Sequence, residues 1–139
     1  MIENALAIGS VLKGATTYTI DKQLHQGGFG ITYLAKAQIM VGNISQVATF
    51  TIKEFFMGKI CSRDANGNVQ VAQENQQLFK QAKQDFREEA EILHALKHAN
   101  IVPVNEVFEQ NNTVYYVMAY LGKVSLYQYA VSNTHLRAH

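Results

Sequence analysis

The stretches Gln26-Gly27-Gly28-Phe29-Gly30 and Thr51-Ile52-Lys53-Glu54 decide the fold of this 139-residue chain. The first is a glycine loop between two strand-like runs, and the second lies on the strand that follows about one hairpin later. Because glycine has no side chain, such a loop can bring backbone N–H groups close to phosphate oxygens. A lysine on the following strand can reach the same phosphates. The two stretches together predict a phosphate-binding site built on a sheet.

Other interpretations of the glycine loop differ in what must follow it. An ordinary hairpin turn remains open, since many hairpins use glycine. A dinucleotide-binding loop requires a helix directly after the glycines. The run Ile31-Thr32-Tyr33-Leu34-Ala35 is β-branched and aromatic and predicts a strand instead. A P-loop is excluded, because no G-x-x-x-x-G-K-[ST] motif occurs in the sequence.

Strands and one helix follow from the pattern of apolar residues. Alternating or β-branched runs predict strands over residues 17–24, 31–35, 47–55, 102–109 and 113–120. Apolar steps of three and four predict a helix over about residues 74–97, whose buried stripe is Leu78, Ala82, Phe86, Ala90, Leu93 and Leu96. Residues 56–73 are predicted to be a loop. This order predicts an α+β fold, in which a five-stranded, mostly antiparallel sheet packs with one long helix.

The composition is that of a soluble globular domain, with 47% apolar and 17% charged residues. A net charge of +1 gives no case for nucleic acid as a partner. The chain starts without the basic region of a signal peptide, and its longest uncharged stretch is too polar to span a bilayer. The sequence has one cysteine, which fits a reducing compartment, so a cytoplasmic location is predicted.

Two features could carry chemistry of their own. Cys61 lies near Lys59 and Arg63, so it is either a reactive thiol with a lowered pKa or an ordinary structural cysteine. His94 and His98 have a spacing that can bind a metal on a helix, but no third ligand is near in the sequence. No metal site is therefore predicted.

Five short motifs, in this order and spacing, resemble one known family. They are Leu24-His25-Gln26-Gly27-Gly28-Phe29-Gly30-Ile31-Thr32 for L-G-x-G-x-F-G-x-V, Phe50-Thr51-Ile52-Lys53 for V-A-I-K, His98-Ala99-Asn100-Ile101-Val102 for H-P-N-I-V, Val114-Tyr115-Tyr116-Val117-Met118-Ala119-Tyr120-Leu121 for the fifth strand and hinge, and Ser125-Leu126 with Tyr129 for the next helix. Over residues 12–129 the chain resembles the N-terminal lobe of a bacterial, eukaryotic-like Ser/Thr protein kinase, truncated.

The chain is predicted to have three segments. The resemblance implies an N-terminal extension over residues 1–11 and the ATP-binding half of a kinase domain over residues 12–130. Residues 131–139 have no apolar period and are predicted to be a non-native tail. The kinase motifs that hold the metal and orient the hydroxyl, H-R-D-x-x-x-x-N and D-F-G, do not occur in the sequence. We therefore expect this chain alone to be inactive, with the missing C-lobe as a partner.

The resemblance also implies ATP and Mg²⁺ as cofactors and a protein with a Ser or Thr hydroxyl as substrate. The residues it implies for nucleotide binding are Leu24, His25, Gln26, Gly27, Gly28, Phe29, Gly30, Thr32, Thr51, Lys53, Met118, Ala119 and Leu121. His25 stands where the family has a glycine and Thr51 where it has an alanine. These departures leave open a pseudokinase-like binding or regulatory module, and a non-kinase interaction domain is a third possibility.

By the same resemblance Lys53 is a catalytic residue that pairs with a glutamate of the long helix. Three acids compete for that role, Glu88, Glu89 and Glu91. With Phe86 at zero and about 100° per residue, Glu89 falls near −60°, beside the apolar stripe, while the other two point away. An acid at the edge of an apolar face needs a cationic partner. Glu89 is thus the predicted second catalytic residue, and a boundary acid that reaches water is the alternative.

Overall fold

The computed structural model describes residues 2–96 and 102–120 of the chain. The elements in this part are β1 (Val11–Lys13), β2 (Thr17–Gln26), β3 (Gly30–Val41), β4 (Ile44–Phe55), β5 (Cys61–Arg63), β6 (Val69–Val71), a 3-10 turn (Gln73–Asn75), α1 (Gln76–Ala95), β7 (Val104–Gln110) and β8 (Thr113–Ala119). Within these residues no helix is both long and apolar enough to cross a membrane.

Six strands form one sheet in the order β1-β2-β3-β4-β8-β7, and β5 pairs only with β6. All of these strand pairs are antiparallel. The predicted fold class is confirmed, but the sheet has six strands rather than five, because β1 adds an edge. The stretch predicted as loop, residues 56–73, contains the β5–β6 hairpin. Strands of three residues are too short to show a period in the sequence.

The β3–β4 hairpin projects beyond the rest of the sheet. Its strands pair without a break over their whole length and turn at Gly42-Asn43, with a φ of 64° at Gly42. The register of β2 on β3 reaches only Lys36, and that of β8 on β4 starts only at Phe50. Within the described residues, the outer part of the hairpin therefore has no third strand.

Helix α1 packs on one face of the sheet through an aromatic cluster. The ring of Phe86 lies 5.3 Å from the rings of both Phe55 on β4 and Tyr116 on β8. Phe79, about two helical turns nearer the N-terminus, lies 5.6 Å from Phe55. Rings at these separations attract one another beyond their buried area. This cluster fixes the height and rotation of the helix above the centre of the sheet.

The buried stripe of α1 is narrower than predicted. Leu78 is 53% exposed and Leu96 is 43% exposed, whereas Phe79 is 4% exposed. On the helical wheel, with Phe86 at zero, Leu78 and Leu96 both fall near −80° and Phe79 near +20°. The sheet covers the part of the helix around Phe79, so the two leucines at the edge of the stripe reach solvent.

The other face of the sheet carries the main core. It is covered by the N-terminal segment, which inserts Leu6, and by the β5–β6 hairpin, which contributes Cys61 and Val69. Backbone alternation along β4 therefore matters for the site. Lys53 shares a face with Phe55 beneath α1, while Ile52 and Glu54 point into the main core, and both are fully buried.

Candidate functional site

A cavity of about 330 Å³ lies between α1 and the sheet, at its middle strands. Lys53 comes from β4, Tyr116 from β8 and Phe29 from the glycine loop. The helix contributes two carboxylates, Asp85 and Glu89. The remaining wall is made of apolar side chains, Phe55, Ala82, Phe86, Ala90 and Leu93. A concave apolar pocket with a few converging charged groups is the usual form of a ligand site.

Both predicted catalytic residues line this cavity. Lys53 lies on a central strand, in register with Thr32 on β3 and Tyr116 on β8. Lys53 therefore lies on a strand that is paired on both sides. Glu89 faces the cavity from α1, at the border of the apolar stripe, as its helical angle predicts. The geometry therefore brings an ammonium and a carboxylate group to one cavity, and the pairing of Lys53 with Glu89 stays a prediction.

Asp85 is a cavity residue that the sequence analysis missed. It precedes Glu89 by one helical turn, and its Oδ1 accepts a hydrogen bond of 3.0 Å from the Gln81 side chain. The available signal was the spacing of four residues between two acids at the same border of the stripe. The cavity consequently presents two carboxylates on one wall.

The glycine loop is held by two backbone hydrogen bonds. The Gly27 N–H donates to the Gly30 carbonyl at 2.8 Å, and the Phe56 N–H donates to the Phe29 carbonyl at 3.0 Å. Phe29 at the tip is 62% exposed. In this conformation the Gly27 amide is already used within the loop.

The three glycines differ in how closely they pack. A Cβ built on Gly30 would lie 2.9 Å from the Glu54 carbonyl oxygen and 3.0 Å from Lys53 Cε. A Cβ on Gly28 would meet nothing within 4 Å. Of the three, only Gly30 is thus in close contact with β4, at both the Glu54 backbone and the Lys53 side chain.

We expect Gly30→Ala to lower the free energy of unfolding by about 1–3 kcal/mol, because the added methyl group meets backbone that cannot move freely. Gly28→Ala is the matched control, and we expect it to change stability by less than about 0.5 kcal/mol. Urea denaturation of both variants would measure the difference. Equal stabilities would show that the loop does not pack on β4 in this way.

Most other residues that the resemblance assigns to the nucleotide lie on the sheet. Thr51 and Met118 are buried and in register on neighbouring strands, and Thr32 is half-buried. Leu24, His25 and Ala119 are exposed, and Gln26 is half-buried. The described residues do not include His98, Leu121 or the tail 131–139, so the roles predicted for these stay predictions.

Comparison with known proteins decides the family. A family model for protein tyrosine and serine/threonine kinases matches residues 18–138. The chain belongs to the protein kinase family. A solved structure, "PpkA-294 apo form", superposes on it with a TM-score of 0.75 at 21% sequence identity, over 96% of this chain and 45% of that one. The chain therefore has the fold of a protein kinase N-lobe and spans less than half of that structure's length. A search of curated proteins gave no significant match.

The structure also bears on Cys61 and on His94, the two residues whose chemistry the sequence left open. Cys61 is 6% exposed, and burial raises the pKa of its thiol. The interpretation as a reactive thiol with a lowered pKa is wrong, because the hairpin packs Cys61 into the core. The Nδ1 atom of His94 lies 2.6 Å from the Val104 carbonyl, a contact that ties α1 to β7. In residues 2–96 and 102–120 no group of three His, Cys, Asp or Glu side chains could hold a metal.

A buried polar cluster that was not predicted from the sequence lies on the face of β4 opposite Lys53. The Glu54 carboxylate accepts hydrogen bonds from the Arg63 guanidinium and from the hydroxyl groups of Tyr33 and Tyr115. Burial and the charge of Glu54 raise the pKa of both tyrosines, so these hydroxyl groups keep their protons. Arg63 stays charged, because the pull of Glu54 outweighs the effect of burial on its pKa.

Proposed function

We propose that this chain is the ATP-binding half of a cytoplasmic Ser/Thr protein kinase of the bacterial, eukaryotic-like type. The observation that carries the proposal is the placement of Lys53 and Glu89 at one cavity, with the glycine loop packed against Lys53. Family membership adds the reaction class, which is transfer of the γ-phosphoryl group of ATP to a protein hydroxyl. The protein substrate and its Ser or Thr preference belong to this proposal.

The residues of the cavity fit the phosphates of ATP by their chemistry. Lys53 supplies a cation, and the backbone near Gly28 supplies N–H groups without a side chain in the way. Glu89 would hold the Lys53 ammonium in place through an ion pair. The buried pair Thr51 and Met118 would form an apolar slot for the adenine ring. Positioning and neutralisation of charge are the main contributions that a protein makes to phosphoryl transfer.

Mg²⁺, when bound with ATP, would neutralise charge on the phosphates. The H-R-D-x-x-x-x-N and D-F-G motifs that would supply its ligands and orient the hydroxyl do not occur in this sequence. We therefore propose that this chain binds ATP and that phosphorylation of a protein requires the C-lobe as well. Phosphoryl transfer to a protein by the purified chain would contradict the proposal that the C-lobe is required.

Two observations favour a second candidate, a pseudokinase-like regulatory module. Asp85 and Glu89 set two carboxylates against Lys53 in the cavity, and such charges disfavour a polyanion. His25 stands in place of a glycine, and its ring lies close to Gly27. A Cβ built on Gly27 would be 3.9 Å from His25 Nε2. In this alternative the lobe would keep the fold and bind a protein partner without ATP.

Nucleotide titrations by calorimetry would test the proposal. We expect the full chain to bind Mg-ATP more tightly than adenosine. We expect Lys53→Met to weaken ATP binding by at least about tenfold, the equivalent of about 1.4 kcal/mol, because it removes the cation from the cavity. Lys36→Met is the matched control, since Lys36 is an exposed lysine on neighbouring β3. Its affinity for ATP should equal that of the wild type.

The outcomes separate the two candidates. A loss of affinity in Lys53→Met alone supports the ATP-binding function. A folded wild-type chain that shows no heat of binding with Mg-ATP would favour the regulatory module instead. Equal affinities of the wild type and Lys53→Met for ATP would show that Lys53 does not contribute to ATP binding.

A further inference from the structure

We propose that Glu54 is a positioning residue for the phosphate site, acting through β4 on its neighbour Lys53. This inference rests on the proposed function. Adjacent residues of a strand point to opposite faces. Lys53 lines the cavity beneath α1, and Glu54 is fully buried on the other face of the sheet. What fixes Glu54 therefore also fixes the direction of Lys53.

The contacts of Glu54 join it to the strands on both sides. Its Oε1 accepts hydrogen bonds of 2.7 Å from Tyr33 on β3 and 2.7 Å from Arg63 Nη2. Its Oε2 accepts from Tyr115 on β8 and, at 3.1 Å, from Arg63 Nη1. One carboxylate thus ties three adjacent strands together at the position of Lys53.

The donors of this cluster are themselves held. The Tyr33 hydroxyl accepts from the Leu6 N–H at 3.0 Å, and the Tyr115 hydroxyl accepts from the Asn111 side chain at 2.9 Å. Arg63 also donates to the carbonyl groups of Asn4 and Gly67, each at 2.8 Å. Among the described residues no buried side-chain polar atom lacks a partner. The donors are therefore fixed in place, and a shift of β4 would break their hydrogen bonds to the carboxylate.

Stability alone does not explain a charge in this place. Burying an ion pair removes both ions from water, and well-packed apolar side chains often give equal or greater stability. A buried polar group can instead fix the register of the elements that surround it. If β4 slipped by one residue, Lys53 would enter the core and Glu54 the cavity. Only the observed register places all of the donors on the carboxylate.

The glycine loop depends on the same two residues. Gly30 lies over the Glu54 carbonyl and the Lys53 side chain so closely that a Cβ would meet both within 3.0 Å. The Phe56 N–H, two residues further along the chain, holds the Phe29 carbonyl at the loop tip. A displacement of the strand at Glu54 would therefore move the lysine and the loop together.

The test compares ATP with adenosine for the full chain and its variants. Glu54→Gln keeps the volume of the side chain and removes its charge. We expect it to weaken ATP binding by about tenfold and adenosine binding by less than about twofold, because only ATP uses Lys53 and the loop. Ile20→Val is the control, since it trims the core on β2, where Ile20 is 1% exposed. It should lower stability without changing the ratio of the two affinities.

An unchanged ratio in Glu54→Gln would overturn the inference while leaving the proposed function intact. A wild-type chain without preference for ATP over adenosine would overturn both. If Glu54→Gln does not fold, Tyr115→Phe removes a single hydrogen bond to the carboxylate. We expect Tyr115→Phe to reduce the preference for ATP in the same direction, and an unchanged preference would again contradict the role of Glu54.

Discussion

Replacement of Arg63 by Met is expected to lower the free energy of unfolding by about 3–5 kcal/mol, because it leaves a buried carboxylate without its cation. The side chains of Arg63 and Glu54 are 7% and 0% exposed, so water cannot take the place of the guanidinium. The substitution also removes the hydrogen bonds to Asn4 and Gly67. The N-terminal segment and the β5–β6 hairpin would lose a shared anchor. Urea denaturation followed by circular dichroism would measure the loss.

Two further variants separate charge from packing. Arg63→Lys keeps the charge without the planar fork, so we expect a smaller loss of stability. The double variant Glu54→Gln with Arg63→Met removes both charges and should be more stable than Arg63→Met alone. A double variant that is less stable than Arg63→Met would show that the ion pair does not dominate this cluster.

Replacement of Phe55 by Ala is expected to lower the free energy of unfolding by about 3–5 kcal/mol, as for other large buried aromatic side chains. Phe55 is 1% exposed, and its ring contacts those of Phe79 and Phe86 on α1. The cavity left behind would remove the packing contacts between α1 and the sheet beside the candidate site. Because such a loss can approach the whole stability of a small domain, Phe55→Leu provides a milder step in the same direction.

Phe29→Ala is the matched control for this aromatic truncation. Phe29 is 62% exposed at the tip of the glycine loop, so its removal should change stability by less than about 0.5 kcal/mol. Thermal or urea unfolding would compare the two variants directly. Similar losses for Phe29→Ala and Phe55→Ala would mean that the aromatic cluster does not hold the helix to the sheet.

Long elements with a full apolar period could be predicted from the sequence. Helix α1 and the cores of the long strands were found because each covers several turns or alternations. The three-residue strands β1, β5 and β6 were missed, since no period fits in that length. The outer part of β3 was missed for a different reason. Apart from Ala37 it extends beyond the core, so burial did not impose a pattern on its residues.

The residues of the candidate site also divide into those that could be predicted from the sequence and those that could not. The cavity contains Lys53 and Glu89, whose places follow from strand alternation and helical angle. Glu54 could have been found, because it continues the series of Phe50 and Ile52 on the core face of β4. Its partner Arg63 could not, because Arg63 lies in a segment without a period. A contact with a residue of such a segment depends on the tertiary structure alone.

The alternation of β4 limits where this fold can change its length. A single residue inserted or deleted between Phe50 and Phe55 would move the side chains on one side of the change to the opposite face of the sheet. The Lys53 ammonium group would then point into the apolar core. The overhanging tip around Gly42-Asn43 has no such restriction, since none of the strands in residues 2–96 and 102–120 pairs alongside it. Length variation among relatives should therefore collect at that tip, and leave the stretch that carries the chemistry at constant length.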